Sequence, residues 1–412
     1  MILRELRART WAACAFALAA PFLARAESGE GPPPNVEQQL VQRITEEQSV
    51  HGPHSPLLVE TFMDLGRFYE EGGFNAAAVA AYTEARGVIR AIYGLSSLEE
   101  LPALEAVIRT QEAIGYVEEP WRLEHELLDL ARAHPDDLRV VAVYREIGDK
   151  RMEMLDRYLA GEFLPQLALG CYYQREEAPS VDPARQDRSC TAGSRSALIR
   201  AVAKEAWGYY YSAIRILLEQ RLYASTELHD LETEILKSAY KEGAYEFGRA
   251  SLRRSLSYDV ASGEPLLARI ESLLQMADWD IVTTHARRDR SVYGFALDAY
   301  RQAYAELTRK GVDRRSIDAL FSPEVPIVLP RFVENPFVSR PTDSSAGYID
   351  VTFDITKFGY GTRIEILDTT TNRSRETRKA LVHAIAQSVF RPRMVDGQID
   401  DARVVMRYYV KE

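Results

Sequence analysis

The stretch that decides the fold runs Pro56-Leu-Leu-Val-Glu-Thr-Phe62-Met-Asp-Leu65-Gly66-Arg-Phe-Tyr69-Glu-Glu71 and, after Gly72-Gly73-Phe74, continues Asn75-Ala-Ala-Ala78-Val-Ala-Ala-Tyr82-Thr-Glu-Ala85-Arg-Gly-Val-Ile-Arg-Ala-Ile-Tyr93. Apolar residues recur every three or four positions, the period of a helix with one buried face. The spacing predicts two helices, one over roughly 56–71 and one over roughly 75–93. Leu65, Tyr69 and Tyr82 fill the space between them. Gly66, Ala78 and Ala85 are small, so two backbones can approach closely. Gly72-Gly73 supplies the turn.

The unit recurs. His51-Gly-Pro-His54-Ser-Pro-Leu57 returns loosely as Tyr93-Gly-Leu-Ser-Ser-Leu-Glu99, 42 residues on, and Gly73-Phe74 falls on Gly115-Tyr116 at the same offset. A fixed period of this length marks stacked repeats. Phe62, Leu65, Gly66, Tyr69, Gly73, Ala78, Tyr82 and Ala85 resemble the signature positions of a tetratricopeptide repeat. The long period and its connector are similar to the kinesin-light-chain subtype. A weaker second repeat covers about Leu98–Ala133, with Trp121 in place of a small residue, and a third unit starts near Pro135. Helical pattern resumes at Ser194. Leu266–Arg287 and Ser291–Lys310 form another pair, in which Ala296, Tyr300 and Ala303 take the spacing of Ala78, Tyr82 and Ala85. The resemblance implies a solenoid of helical pairs with a concave face that takes a peptide or protein partner.

Phe321 to Pro341 holds five prolines and reads as an extended connector. From Gly347 the period changes to two. Ile349, Val351, Phe353 and Ile355 alternate with polar residues, as in a half-buried strand. Phe358-Gly-Tyr-Gly361 turns into a second strand, a helix spans about 374–389, and Val404, Met406, Tyr408 and Val410 alternate in a last strand. Gly347, Val351, Phe353, Gly361, Phe390, Pro392, Asp396 and Gly397 make this segment resemble the C-terminal domain of TonB-type proteins. In that resemblance Phe390 caps the sheet core, Pro392 stops the helix and Asp396-Gly397 makes a tight turn. The expected fold is therefore mainly α: a tetratricopeptide-like solenoid of helical pairs, then a small α+β unit of order ββαβ.

TonB-type domains bind outer-membrane transporters and transmit force from an inner-membrane motor, and a partner segment adds as a strand to the sheet edge. Their membrane anchor and long proline-rich spacer are replaced here by an expected signal and a helical array. The Tyr-Pro-x-x-Ala segment usual before the first strand is absent. The resemblance therefore implies the fold and edge binding; a TonB-like energy transducer with an uncleaved N-terminal anchor is the alternative.

Residues 1–26 read as an export signal. Arg4, Arg7 and Arg9 precede an apolar run of about 13 residues, short of the ~20 that span a bilayer. Ala24-Arg25-Ala26 supplies the cleavage site. The chain then divides into a leader expected to lack structure (27–35), helical repeats (36–165), a cysteine-bearing loop (166–193), a second helical region (194–315), the proline-rich connector (316–346) and the C-terminal unit (347–412). Export would place the protein in the periplasm. There the two cysteines left after cleavage, Cys171 and Cys190, favour a disulfide that stabilises by roughly 3 kcal/mol.

The 412 residues carry a net charge of −10. Residues 347–412 hold 11 basic and 9 acidic side chains, so the acidity belongs to the helices. An acidic chain without clustered cations is a poor fit to nucleic acid. His51 and His54 are close in sequence but lack a third metal ligand; His125, His134, His229, His285 and His383 are scattered. No His-Glu-x-x-His, Gly-x-Ser-x-Gly, phosphate loop or dinucleotide fingerprint is present. The carboxylate pairs Glu70-Glu71, Glu99-Glu100 and Glu118-Glu119 read as solvated or near helix starts. Arg287-Arg288 with Arg290 is a local basic turn, and of Tyr209-Tyr210-Tyr211 at least one points inward. The reading is a non-enzymatic interaction protein of the cell envelope. It needs no cofactor and no metal, and no small-molecule substrate is evident.

Overall fold

The computed structural model describes residues 34–162, 164, 195–288, 292–323, 325–332, 348–369 and 375–409. The expected signal with Ala24 and Ala26, the pair Cys171 and Cys190, and Gly347 lie outside the described residues. These fall into two compact units, 34–147 with 156–164, and 148–155 with 195–409.

The first unit is all helix: α1 (Pro34–His51), α2 (Pro56–Glu71), α3 (Asn75–Tyr93), α4 (Leu101–Ile114), α5 (Glu118–Ala133) and the start of α6 (Arg139–Leu159). The bounds of α2 and α3 are those expected from the spacing. α1 starts at Pro34, inside the stretch expected to lack structure. Proline is well tolerated in the first turn, and Glu37 there suits the positive end of the helix. Ser55 caps α2 by accepting from the Leu57 N–H. Gly73, at φ +75°, turns the chain into α3.

Gly66 on α2 lies flat against the Tyr82 ring of α3, and a Cβ there would collide with it. Phe62, Leu65, Tyr69, Ala78, Tyr82 and Ala85 are all buried. Trp121, the misfit of the second repeat, is buried on α5. Polar groups tie the helices as well. The Tyr82 hydroxyl donates to Glu70 at 2.7 Å, and Arg109 grips the same carboxylate at 2.8 and 2.9 Å. Glu100, buried, is held by Arg86 and by Arg90 at 2.9 Å.

The second unit comprises residues 148–155 of α6, then α7 (Arg195–Glu219), α8 (Thr226–Glu242), α9 (Tyr245–Ser262), α10 (Leu266–Arg287), α11 (Tyr293–Arg309) and α12 (Arg314–Phe321), followed by strands. Gly148 of α6 repeats the arrangement of Gly66: its missing Cβ leaves room for the Tyr210 ring of α7. Tyr210 is fully buried, and its hydroxyl donates to Asp149 at 2.9 Å. One helical pair is thus built from segments on either side of the cysteine-bearing stretch. Gly248 of α9 gives the same room to Trp279 of α10.

The strands are β1 (Val328–Leu329), β2 (Tyr348–Ile355), β3 (Gly361–Thr369), then α13 (Arg375–Gln387), β4 (Val389–Phe390), β5 (Arg393–Val395), β6 (Gln398–Asp400) and β7 (Ala402–Tyr409). The main antiparallel sheet has the order β3-β2-β7. With α13 across it, the main sheet follows the expected strand–strand–helix–strand order, but three short strands, β4, β5 and β6, intervene between α13 and β7. β7 runs eight residues along β2 without a break, whereas β3 is irregular at two places. Ile349, Val351, Phe353, Ile355, Leu381, Ile385 and Phe390 fill the core, and the Phe353 and Phe390 rings lie 5.3 Å apart.

Two expectations need correction. α13 ends at Gln387, ahead of Pro392, so proline does not stop it; the chain leaves the helix to put Val389–Phe390 beside β1. The connector is also not merely extended. Val328–Leu329 forms that short pairing, and the Arg391 N–H donates to the Ile327 carbonyl at 2.9 Å. The Asp396-Gly397 turn is as expected. Both residues have positive φ, the signature of a two-residue type I′ hairpin, and they join β5 to β6.

Candidate interaction site

Leu274, Ala277, Asp278 and Ile281 on α10 repeat the spacing of Phe62, Leu65, Gly66 and Tyr69. At the glycine position stands Asp278, facing Tyr300 of α11. Asp278 is 5% exposed, and its carboxylate must be satisfied internally. The Tyr300 hydroxyl donates to it at 2.6 Å, and Arg391 donates through Nε at 2.8 Å and Nη2 at 2.5 Å. Arg391, buried as well, spends a further N–H on the Leu320 carbonyl at 2.9 Å. Burial and the adjacent carboxylate push the Tyr300 phenol well above its ordinary value. The Asp278 charge raises the Arg391 guanidinium against its burial, so the guanidinium stays charged. This bidentate pair fixes the segment after α13 to the last helical hairpin, and Met394 and Leu329 join the apolar core of α10 and α11.

A second tie lies on the same helix. His285 Nε2 is 2.7 Å from the Phe358 carbonyl, with its ring 4.0 Å from Tyr360, and the Tyr293 hydroxyl donates to the Lys357 carbonyl. Burial pushes the His285 imidazole down from its ordinary value, opposed by that bond to the carbonyl. A lowered folded-state value means that the unfolded chain binds the proton better. The contribution is present above the unfolded value near 6.5 and is lost as pH falls from there through the lowered folded-state value. Wild type is expected to lose more stability than His285→Gln between about pH 7.5 and pH 5.5. Urea midpoints at both pH values check this; equal losses would remove His285 as the cause.

Beside the Asp278 cluster α8, α9 and α10 enclose a groove of about 270 Å³, lined by Thr233, Leu236, Leu252, Gln275, Asp278, Trp279, Val282, Pro330, Arg331 and Phe332. The Trp279 N–H donates to the Tyr245 carbonyl at 2.8 Å, which pins the indole against Gly248. Phe332 leans on Tyr240 with ring centres 5.7 Å apart. Arg331 pairs with Glu271 at 2.7 Å and approaches Asp278 at 3.8 Å. An aromatic floor with a few polar groups at the rim suits an apolar side chain of a peptide. Three hydrogen bonds, two from Arg391 and one from Tyr300, hold the Asp278 carboxylate at the edge of this groove.

The structure places Val351, Phe353, Gly361 and Phe390 together in the main sheet and its core, and the tetratricopeptide-like positions of the first repeat in one helical pair; Asp396 and Gly397 stand apart, at the tip of the β5–β6 hairpin beside Arg314 and Tyr304. Gly361 packs tightly against Ile385 and Phe390. Pro392 lies in the link between Arg391 and β5. Sequence reasoning does not single out Asp278, Trp279 or Arg391. The signal for Asp278 is its place in the repeat spacing; Arg391 carries none beyond standing between Phe390 and Pro392. Among the described residues no helix is long and apolar enough to cross a membrane.

No protein-family model matches the chain, and no curated protein matches it. Among solved structures it is similar to the nearly identical TPR-like repeats described for a putative kinesin light chain of Podosopora anserina. Identity is 13%, over 61% of this chain and 97% of that one, with a TM-score of 0.33. A point-substituted form of those repeats gives 12%, 62%, 97% and 0.33. The C-terminal part of a TPR repeat-containing protein from Cytophaga hutchinsonii gives 10%, 69%, 95% and 0.26. The repeat pattern is carried by the helical pairs themselves.

Proposed function

We propose that this chain is an exported, non-enzymatic interaction scaffold of the cell envelope. Its tetratricopeptide-like helices hold a protein or peptide partner, and its TonB-like sheet offers a strand edge. The observation that carries the reading is the Trp279-floored groove on stacked helical pairs. The unbroken edge of β7, with Val405 exposed, supports strand addition there rather than at the irregular β3. The arginine-flanked apolar run before Ala26 supports export.

Trp279 is pinned from behind by Gly248, so the groove is best probed from its rim. Gln275→Arg and Thr233→Arg narrow the groove without touching the helical core. They are expected to weaken partner binding about tenfold or more, with an unchanged thermal midpoint. Titration of the isolated partner by calorimetry checks this. Unchanged affinity in both variants would sink the groove as the binding site. N-terminal sequencing of the protein from cells separates the scaffold from its alternative. A start at Glu27 supports export with cleavage. An intact apolar N-terminus returns the TonB-like transducer to consideration.

A further inference from the structure

Among the described residues, the arginines of the C-terminal segment are satisfied, with two exceptions. Arg403 pairs with Asp354 and Glu365, Arg407 with Asp350, Arg363 with Asp354, Arg391 with Asp278, and Arg393 donates to Ser322. The exceptions, Arg375 and Arg378, lie on α13 beside Lys379. Arg375, Arg378 and Lys379 make no ion pair among the described residues, and the Arg378 Nε is buried without a hydrogen-bond partner there. They occupy the first two turns of α13, where the helix dipole opposes positive charge. Glu376 shares that first turn but forms no ion pair with them among the described residues, and an unpaired cationic cluster at that end costs stability, so packing does not explain it.

The same residues rim a hollow of about 380 Å³ whose floor is Ile366 of β3 with Val382 and Ala386 of α13; His383 closes one side. Cations around an apolar floor fit a ligand with negative charges and one apolar group. We propose that this hollow binds an acidic segment of a partner protein, with an aliphatic or aromatic side chain on the floor and carboxylates on Arg375, Arg378 and Lys379. Charge complementarity selects a segment over a membrane surface. A bilayer meets a whole face of this unit, and residues 347–412 carry 11 basic against 9 acidic side chains, a balance short of the basic clusters that hold proteins to anionic membranes. A short segment meets only the local cations. The site is separate from the Trp279 groove and stands or falls without it.

The test uses the full chain and the variant R375E/R378E/K379E. The variant places acidic side chains where the helix dipole favours them, and circular dichroism confirms its fold. Each protein selects from a random heptapeptide display library. The wild type is expected to enrich Asp and Glu around one large apolar residue, and the variant to lose that enrichment. Peptides synthesised from the enriched set are expected to bind the variant about tenfold more weakly, and the wild type several-fold more weakly when salt is raised. Equal enrichment on both proteins, or no acidic excess on the wild type, overturns the proposal. So does charge-dependent sedimentation with phosphatidylglycerol vesicles in the absence of acidic enrichment, which would assign the cluster to lipid.

Discussion

Arg391→Leu is expected to destabilise the second unit by about 3–5 kcal/mol, because it leaves the buried Asp278 carboxylate with one hydrogen-bond donor, the Tyr300 hydroxyl, and with Arg331 no nearer than 3.8 Å. Arg391→Lys is expected to recover only part of this, since an ammonium cannot reproduce the two parallel bonds of the guanidinium. The double variant Asp278→Leu with Arg391→Leu is expected to be more stable than either single change, as no charge is then stranded. Urea unfolding followed by tryptophan fluorescence reads all of these variants. If Arg391→Leu shifted the midpoint no more than an exposed arginine does, the sheet would not be held to the hairpin by this pair. The stake is functional. A sheet anchored to α10 and α11 presents β7 in a fixed direction, whereas a TonB-like transducer needs its terminal domain to be pulled.

The second large effect concerns the helical pair formed by Gly148 and Tyr210. Tyr210→Ala is expected to cost about 3–5 kcal/mol, because it empties a fully buried site and removes the hydrogen bond that Tyr210 donates to Asp149. Gly148→Leu is expected to cost about 1–3 kcal/mol by collision with the same ring. Together they should cost less than the sum, since the added leucine occupies the space the ring vacates. Thermal or urea unfolding of the four proteins closes the cycle. Strict additivity would mean that the two residues do not share one packing site.

What is legible in the sequence depends on how far apart the signals lie. The pair over 56–71 and 75–93 is readable almost to the residue. Its small and aromatic positions lie within one contiguous stretch, bounded by Ser55 and by Gly73. The Gly148–Tyr210 pair carries the same chemistry: Ala206, Tyr210 and Ala213 reproduce the spacing of Ala78, Tyr82 and Ala85. A long intervening stretch separates its two helices, and periodicity does not reach across it. In the sheet, alternation from Ile349 to Ile355 and the Asp396-Gly397 turn are legible because they are local. Proline is a sufficient local stop for α13, but the pairing of Val389–Phe390 with Val328–Leu329 ends the helix earlier, and that pairing is not local. Asp278 and Arg391 are 113 residues apart. Nothing in either neighbourhood marks them as partners, and only tertiary folding brings them together.

The most direct test of the scaffold reading is site-specific photocrosslinking of the full chain in its native cells. The probe is placed at Gln275 on the groove, at Val405 on the β7 edge, and at Glu153 of α6 as a control. The expected result is a discrete protein adduct from Gln275, from Val405 or from both, with none from Glu153. Adducts of equal yield from all three positions, or from the control alone, would contradict the reading.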